Sequence, residues 1–220
     1  MASVLVLGLG RFGVNLAREL AALDHQVLAV DSDIAIVNHF KEEFADVVQA
    51  DIKDMEALAS LGARDVDVAV VAVGSRMDAS ILACLHLKEL GVPRVIAKVS
   101  SADHKKILEA LGLDERDLVY PERDMANRLA HTLTTRNIMD SLPLEEGYSI
   151  VTLAPPASFI GKTLKLLDLR RRHNVQVVAI KDTLIGTWNP VPSPDALIKD
   201  SDQLLILGQE EDLDTLGGIK

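Results

Sequence analysis

The chain has 220 residues, a formal net charge of −10 at pH 7, and a composition that is 48% hydrophobic but only 3% aromatic. The excess of acidic residues argues against a nucleic-acid surface, because affinity for phosphate backbones comes from clustered lysine and arginine. No segment approaches the roughly 20 consecutive apolar residues of a membrane span, and the single cysteine, Cys84, excludes an intrachain disulfide. We therefore expect a globular, cytoplasmic chain with no nucleic-acid partner and with Cys84 as a core thiol.

A glycine-rich loop directly follows the first apolar segment. Val4 to Leu7 predicts a strand, and the sequence GLGRFG follows at Gly8 to Gly13. Gly8 allows a tight turn out of the strand, Gly10 allows the backbone to approach a pyrophosphate, and Gly13 lets the next helix pack closely on the strand. The N–H groups and the positive dipole end of that helix favour a bound phosphate.

An acidic residue ends the next predicted strand. Gln26 to Val30 predicts this strand, and Asp31 follows it about 20 residues past the glycines, as in nucleotide-binding sites. The Asp31 carboxylate can accept hydrogen bonds from ribose hydroxyls, and it disfavours a 2′-phosphate. The sequence therefore predicts an adenine nucleotide site, and Asp31 suits NAD, ATP and ADP alike.

Strand and helix patterns alternate up to about residue 120. Strands are predicted at Val4 to Leu7, Gln26 to Val30, Asp46 to Gln49, Val68 to Ala72, Val95 to Val99 and Leu118 to Val119. Helices are predicted at Asn15 to Leu23, Ile34 to Phe44, Met55 to Leu61, Ala79 to Leu90 and His104 to Leu111. This alternation is typical of an α/β fold with a Rossmann-like, doubly wound parallel sheet, whose ligand crevice lies at the carboxyl ends of the strands.

The pattern changes after Pro121. Glu122 to Met139 predicts one long helix, and Pro143 to Gly147 predicts a linker. The later segments predict a small α+β domain, with strands at Tyr148 to Leu153, Gln176 to Ile180 and Gln203 to Gly208, a helix at Leu164 to Arg172, and a proline-containing loop before the last strand. We predict a nucleotide-binding domain at residues 1–120, a crossover helix and linker at 121–146, and a small α+β domain at 147–220.

Catalytic motifs are not recognisable in the sequence. The six histidines are scattered, and none pairs with a cysteine, serine or carboxylate at a catalytic spacing. A nucleotide site without visible chemistry favours a sensor over an enzyme, although catalytic residues can converge from distant positions. The alternatives are an NAD(H)-dependent oxidoreductase, which would need an acid or base in the second domain, and a free-standing dinucleotide sensor.

Several short motifs occur along the chain in a characteristic order. They are GLGRFG at 8–13, LAVD at 28–31, AD at 50–51, VAVG at 71–74, ASIL at 79–82, VIAK at 95–98 and PERDM at 121–125. With these motifs the chain resembles the RCK (KTN) regulatory subunits of bacterial potassium uptake systems, of the KtrA, KtrC and TrkA type. The resemblance covers nearly the whole chain, and Tyr148 to Gly208 is similar to the TrkA-C domain.

The resemblance implies a regulatory function without enzymatic activity. Proteins of this family form a cytosolic ring, typically an octamer built from dimers, that docks under a separate potassium-conducting membrane subunit. The implied chain is therefore cytoplasmic and is held at the inner face of the membrane through its partner. ATP would favour the conducting state and ADP the closed state, and NAD or NADH would be the alternative ligands.

The resemblance also assigns roles to individual residues. Arg11 would contact the terminal phosphate, Asp31 the ribose and Asp51 the adenine region. Lys98 would lie near the phosphates, and Glu122 would help to hold Mg²⁺ or Ca²⁺ at the dimer interface. The other residues assigned to the nucleotide site are Gly8, Gly10, Phe12, Gly13, Ser32, Ile52 and Gly74. The alternative for Arg11 is a surface arginine in a loop, and the alternative for Glu122 is an acid in the first turn of a helix.

Two further expectations concern the C-terminal half. Arg170 matches the arginine with which relatives bind cyclic di-AMP at a dimer interface, but Gln176 stands where such relatives commonly carry asparagine, and the arginine run also suits a solvated helix end. Apolar residues recur at helical spacing in the segment after Pro121 and would serve either a core or a subunit seam; they are Met125, Ala126, Leu129 and Leu133.

Overall fold

The computed structural model describes residues 1–74, 76–134 and 137–219. It divides into two compact units, Met1–Pro121 and Glu122–Lys220. Within the described residues, no helix is long and apolar enough to cross a lipid bilayer.

The first unit is built on a parallel sheet of six strands. Strands β1 to β6 are Ser3–Leu7, Gln26–Asp31, Asp46–Gln49, Val68–Val71, Arg94–Lys98 and Leu118–Val119. Their order across the sheet is β3-β2-β1-β4-β5-β6, which confirms the Rossmann-like fold. Because β1 lies between β2 and β4, the segments that follow these three strands meet at one edge of the sheet.

Five helices pack against this sheet. Helices α1 to α5 are Arg11–Ala22, Ile34–Phe40, Met55–Ser60, Met77–Glu89 and Ala102–Ala110. Asp33, Asp54 and Ser101 cap α2, α3 and α5 with side-chain oxygens, as these residue types favour. The helix predicted to reach Phe44 ends at Phe40, and Phe44 is buried in an apolar cluster with Leu9.

Cys84 on α4 is fully buried in the main core of the first unit. Burial raises the pKa of its thiol to about 12. The thiol is therefore protonated at neutral pH, and the expectation of a core thiol is confirmed.

The second unit combines one long helix with an antiparallel sheet. Helix α6 is Pro121–Thr134, and strands β7 to β11 are Ile138–Pro143, Tyr148–Leu153, Gln176–Asp182, Thr187–Pro190 and Asp202–Gln209. The sheet order is β10-β9-β11-β8-β7. Helices α7, α8 and α9 are Leu164–Leu167, Leu169–Arg172 and Glu210–Gly217.

The segment after α6 differs from the prediction. The long helix expected to reach Met139 ends at Thr134, and Ile138, which continued the apolar pattern, is instead a core residue of β7. The expected linker at Pro143 to Gly147 is the connection of a hairpin, in which the Leu144 N–H donates to the Tyr148 carbonyl (2.7 Å). Residues 138–143 thus form an edge strand of the second sheet.

The helix predicted at Leu164 to Arg172 is two short helices. Asp168 separates α7 from α8 and adopts a left-handed conformation with φ of 44°, which no α-helix can accommodate. Besides β7, two elements were not predicted: β10, which contains Pro190, and α9, which follows the last strand.

Candidate functional site

The loop after β1 turns sharply above the sheet. Gly8 has a φ of +99°, and its N–H donates to the Val30 carbonyl (2.7 Å). A Cβ on Gly13 would lie 1.9 Å from the Gly8 carbonyl oxygen, so only glycine fits there. Gly10 precedes α1 and provides no side-chain cap, and a Cβ at Gly10 would meet no protein atom within 4 Å. The loop is therefore tightly packed on its sheet side and open at Gly10.

Asp31 ties the end of β2 to this loop. One carboxylate oxygen accepts the Leu9 N–H (2.7 Å), and the other accepts the Asp33 N–H (2.9 Å). Each carboxylate oxygen has a second lone pair, so both contacts leave acceptor capacity for ligand hydroxyls. Asp31 can thus brace the loop and bind a ligand at once.

A cleft of about 250 Å³ opens at the carboxyl ends of β1, β2 and β4. Its lining residues are Gly8, Gly10, Asp31, Ser32, Ile36, Ile52, Ala72, Val73, Gly74 and Arg76. The backbone of the loop and the Asp31 carboxylate line the cleft together with the apolar residues Ile36 and Ile52. This combination can hold a ligand that has both an anionic group and a flat apolar group.

The lining contains residues that the sequence analysis did not assign. They are Ile36, Ala72, Val73 and Arg76. Ala72 and Val73 follow β4 directly, so the rule that the crevice lies at strand carboxyl ends could have found them. Ile36 and Arg76 come from the starts of α2 and α4, and no motif marks them.

Lys98 lies beside the cleft at the end of β5. Its Nζ is 3.2 Å from the position that a Cβ on Gly74 would occupy and 5.8 Å from the centre of the Phe12 ring. Glycine at position 74 therefore leaves room for the ammonium group. Lys98 therefore lies next to the cleft, although it does not line it.

Arg11 and Asp51 lie outside the cleft lining. Arg11 is the exposed first residue of α1. The exposed Asp51 accepts the Lys53 N–H (3.0 Å) in the turn between β3 and α3, and its neighbour Ile52 is buried and lines the cleft. The roles assigned to Arg11 and Asp51 stay predictions.

The second unit contains a separate cleft of about 250 Å³. Its lining residues are Leu164, Lys165, Asp168, Leu169, Arg170, Val175, Gln176, Val177, Pro192 and Pro194. Arg170 thus lines a cavity together with Gln176, and Lys165 adds a second cation. Asp168 contributes one carboxylate, so the lining keeps a net positive charge that suits an anionic ligand.

Glu122 belongs to the first turn of α6. Among the residues that the structure describes, no group of three or more histidine, cysteine, aspartate or glutamate side chains is arranged to hold a metal. The assignment of a divalent cation to Glu122 stays a prediction.

Comparison with protein families identifies both halves of the chain. A TrkA-N domain matches residues 4–117, and a TrkA-C domain matches residues 148–218. Ktr system potassium uptake protein C of Bacillus subtilis (strain 168) is 36% identical over 208 residues, which are 94% of this chain and 92% of that protein. Ktr system potassium uptake protein A of the same organism is 34% identical over 208 residues, with the same coverage of both chains.

A solved structure shares the fold over nearly the whole chain. The GsuK channel bound to NAD superposes with a TM-score of 0.68 at 19% identity and covers 98% of this chain. This chain spans 38% of the length of that channel chain. At this identity the likeness establishes the fold.

Proposed function

The chain belongs to the TrkA-N and TrkA-C family of regulatory proteins of Ktr and Trk potassium uptake systems, and from this membership we propose its function. It is a cytoplasmic regulatory subunit that binds an adenine nucleotide in the first unit and controls a separate potassium-translocating membrane subunit. It acts by binding, without catalysing a reaction. The family's relatives named above are potassium uptake proteins of similar length, which supports this role.

The observation that carries the proposal is the cleft around Asp31. Its glycine loop and the uncapped start of α1 offer N–H groups to a diphosphate, and Asp31 offers acceptors to the ribose. Ile36 and Ile52 offer apolar contacts to the adenine. The lining therefore complements each part of an adenine nucleotide.

The ligands ATP and ADP would produce different states. A ligand shifts a conformational equilibrium only by its differential affinity for the two states, so the third phosphate must make contacts that ADP lacks. Arg11, Lys98 and a Mg²⁺ or Ca²⁺ ion held by Glu122 are the groups that we propose for those contacts. A guanidinium gains charge-assisted hydrogen bonds from an added phosphate.

The first prediction tests the nucleotide site by calorimetry. Asp31→Asn replaces the carboxylate that accepts hydrogen bonds from the ribose hydroxyls with a neutral amide. We expect ATP, ADP and NADH each to bind about 10- to 100-fold more weakly, a loss of about 1.5 to 3 kcal/mol of binding free energy. Asp103→Asn is the matched control, because Asp103 is an exposed carboxylate outside the cleft. Thermal unfolding of both variants checks that the loop is intact. Unchanged affinities in a folded Asp31→Asn protein would refute the ribose contact.

The second prediction concerns the third phosphate. Arg11→Ala should weaken ATP more than ADP, and Glu122→Gln should reduce the enhancement of ATP binding by divalent cations while retaining the nucleotide site. In proteoliposomes that contain the membrane subunit, both variants should show reduced ATP-stimulated potassium flux. Wild-type flux from both variants, with ATP and ADP still distinguished, would mean that other residues read the phosphate.

The second unit contains the proposed site for cyclic di-AMP. Arg170 and Lys165 supply cations to the lining of a cavity of about 250 Å³, which suits an anionic ligand. We also propose that the chain assembles as dimers into an octameric ring, with α6 contributing to the contacts between subunits.

A further inference from the structure

Arg76 is a cation in the lining of the first cleft, and none of the motifs assigns it a role. It immediately precedes α4, and its carbonyl accepts the Ser80 N–H (3.1 Å) in the first turn of that helix. Its side chain is exposed and makes no ion pair with any residue of the described ranges. The backbone at Arg76 is therefore held in place while the guanidinium can reach a ligand.

The charges of the cleft lie on two sides of the glycine loop. Within the described lining, Asp31 and Arg76 are the charged residues; Asp31 ends β2, and Arg76 lies in the segment after β4. The loop follows β1, which lies between these two strands. Since neighbouring strands are about 4.8 Å apart, the ends of β2 and β4 are separated by about 10 Å, with the loop between them.

This order of groups matches the order of groups in a nucleoside diphosphate. A ribose on Asp31 and phosphates above the loop direct the far end of the ligand toward the segment after β4. Arg11, in contrast, stands outside the lining. Within the described lining, Arg76 is the cation on the side of that far end, whereas Lys98 lies beside the cleft.

We propose that Arg76 makes the cleft selective for adenine nucleotides that end in a phosphate, ADP and ATP, over NAD⁺. A terminal phosphate offers oxygens to the forked guanidinium, whereas the nicotinamide ring of NAD⁺ carries a positive charge that the guanidinium repels. AMP has no phosphate beyond the one at the loop, so it gains less from Arg76. This inference rests on the proposed nucleotide-binding function and specifies the class of ligand.

Calorimetry with AMP, ADP, ATP and NAD⁺ tests the proposal on the full-length protein. Arg76→Gln should weaken ADP and ATP by about 10- to 100-fold, the scale of a charge-assisted hydrogen bond, and should leave NAD⁺ equally or more tightly bound. Arg76→Lys should restore part of the affinity for ADP and ATP. Arg64→Gln is the matched control, because it removes an exposed arginine outside the lining.

The possible results separate this inference from the function on which it rests. If Arg76→Gln leaves ADP and ATP unchanged while Asp31→Asn weakens them, the selectivity of Arg76 is refuted and the nucleotide site stands. If Arg76→Gln weakens all four ligands equally, its contact is not selective and the proposal fails. If the wild-type protein binds none of the four, the proposed function itself fails.

Discussion

His104 is a fully buried histidine in the first turn of α5. Its Nδ1 accepts the Ser100 N–H (3.2 Å), which requires the neutral ring, and burial lowers its pKa below the ordinary value of 6.5. Between the lowered pKa of the folded state and about pH 6.5, the unfolded chain therefore binds a proton that the folded chain does not. The stabilising effect of the neutral ring is complete above that pH and is lost as the pH falls.

The third prediction follows from this linkage. The free energy of unfolding in urea should be lower at pH 5.5 than at pH 7.5, and the difference should be smaller in His104→Asn, whose side chain can still accept the Ser100 N–H. His39→Asn, a change at an exposed histidine, is the control and should retain the wild-type pH dependence. An equal decrease in wild type and His104→Asn would contradict the assignment.

Individual site residues differ in how far the sequence predicts them. Gly8 and Gly13 are predictable because the spacing of GLGRFG after a strand marks this turn. In the fold Gly8 has a positive φ, and a Cβ on Gly13 would lie 1.9 Å from the Gly8 oxygen. Asp31 is predictable because it ends a strand at a fixed distance from the glycines. Arg76 and Ile36 are not, because they reach the cleft only through the folding of separate βα segments.

At the level of elements, Gly10 and Gly13 at the start of α1 differ in the space around them. Gly13→Ala places a Cβ against the backbone oxygen of Gly8, and this oxygen cannot move without distorting β1. The fourth prediction is therefore that Gly13→Ala lowers the free energy of unfolding by about 3 kcal/mol or more. Gly10→Ala meets open space, so its stability should stay within about 0.5 kcal/mol of wild type. With phosphates above this loop, Gly10→Ala should nevertheless weaken ATP and ADP. Urea unfolding measures the stability of both variants, and calorimetry measures their nucleotide affinity. Equal stability of the two variants would contradict the argument that a Cβ at position 13 clashes with the Gly8 oxygen.

The elements of the first unit are predictable because buried parallel strands and amphipathic helices leave clear periodicities. The elements of the second unit are less predictable from the sequence. Ile138 and Met139 continue an apolar helical pattern, and only packing in the second sheet turns them into a strand. The strand β10 is exposed at every residue and contains Pro190, so its sequence lacks the alternation that marks a half-buried strand.

On the scale of the whole molecule, α6 presents an apolar face. Met125, Leu129 and Leu133 are 59%, 54% and 77% exposed, which within the described chain excludes a core role and favours contact with another subunit. The fifth prediction is that light scattering at micromolar concentration gives a mass above 23.9 kDa, the mass of one chain. Leu129→Lys should lower that mass, whereas Leu184→Lys, at an exposed residue of the β9–β10 connection, should not. A wild-type mass of 23.9 kDa would refute the subunit contact.

The bonds from the Leu9 and Asp33 N–H groups to Asp31 have a kinetic consequence. Because the protein's own backbone already holds this carboxylate and the loop beside it, the binding surface does not have to be rebuilt between one occupant and the next. The rate at which one nucleotide replaces another is then set by dissociation of the nucleotide already bound. In the proposed role, a potassium uptake system governed by this chain would follow changes in the cell's energy charge without a lag for refolding of the loop.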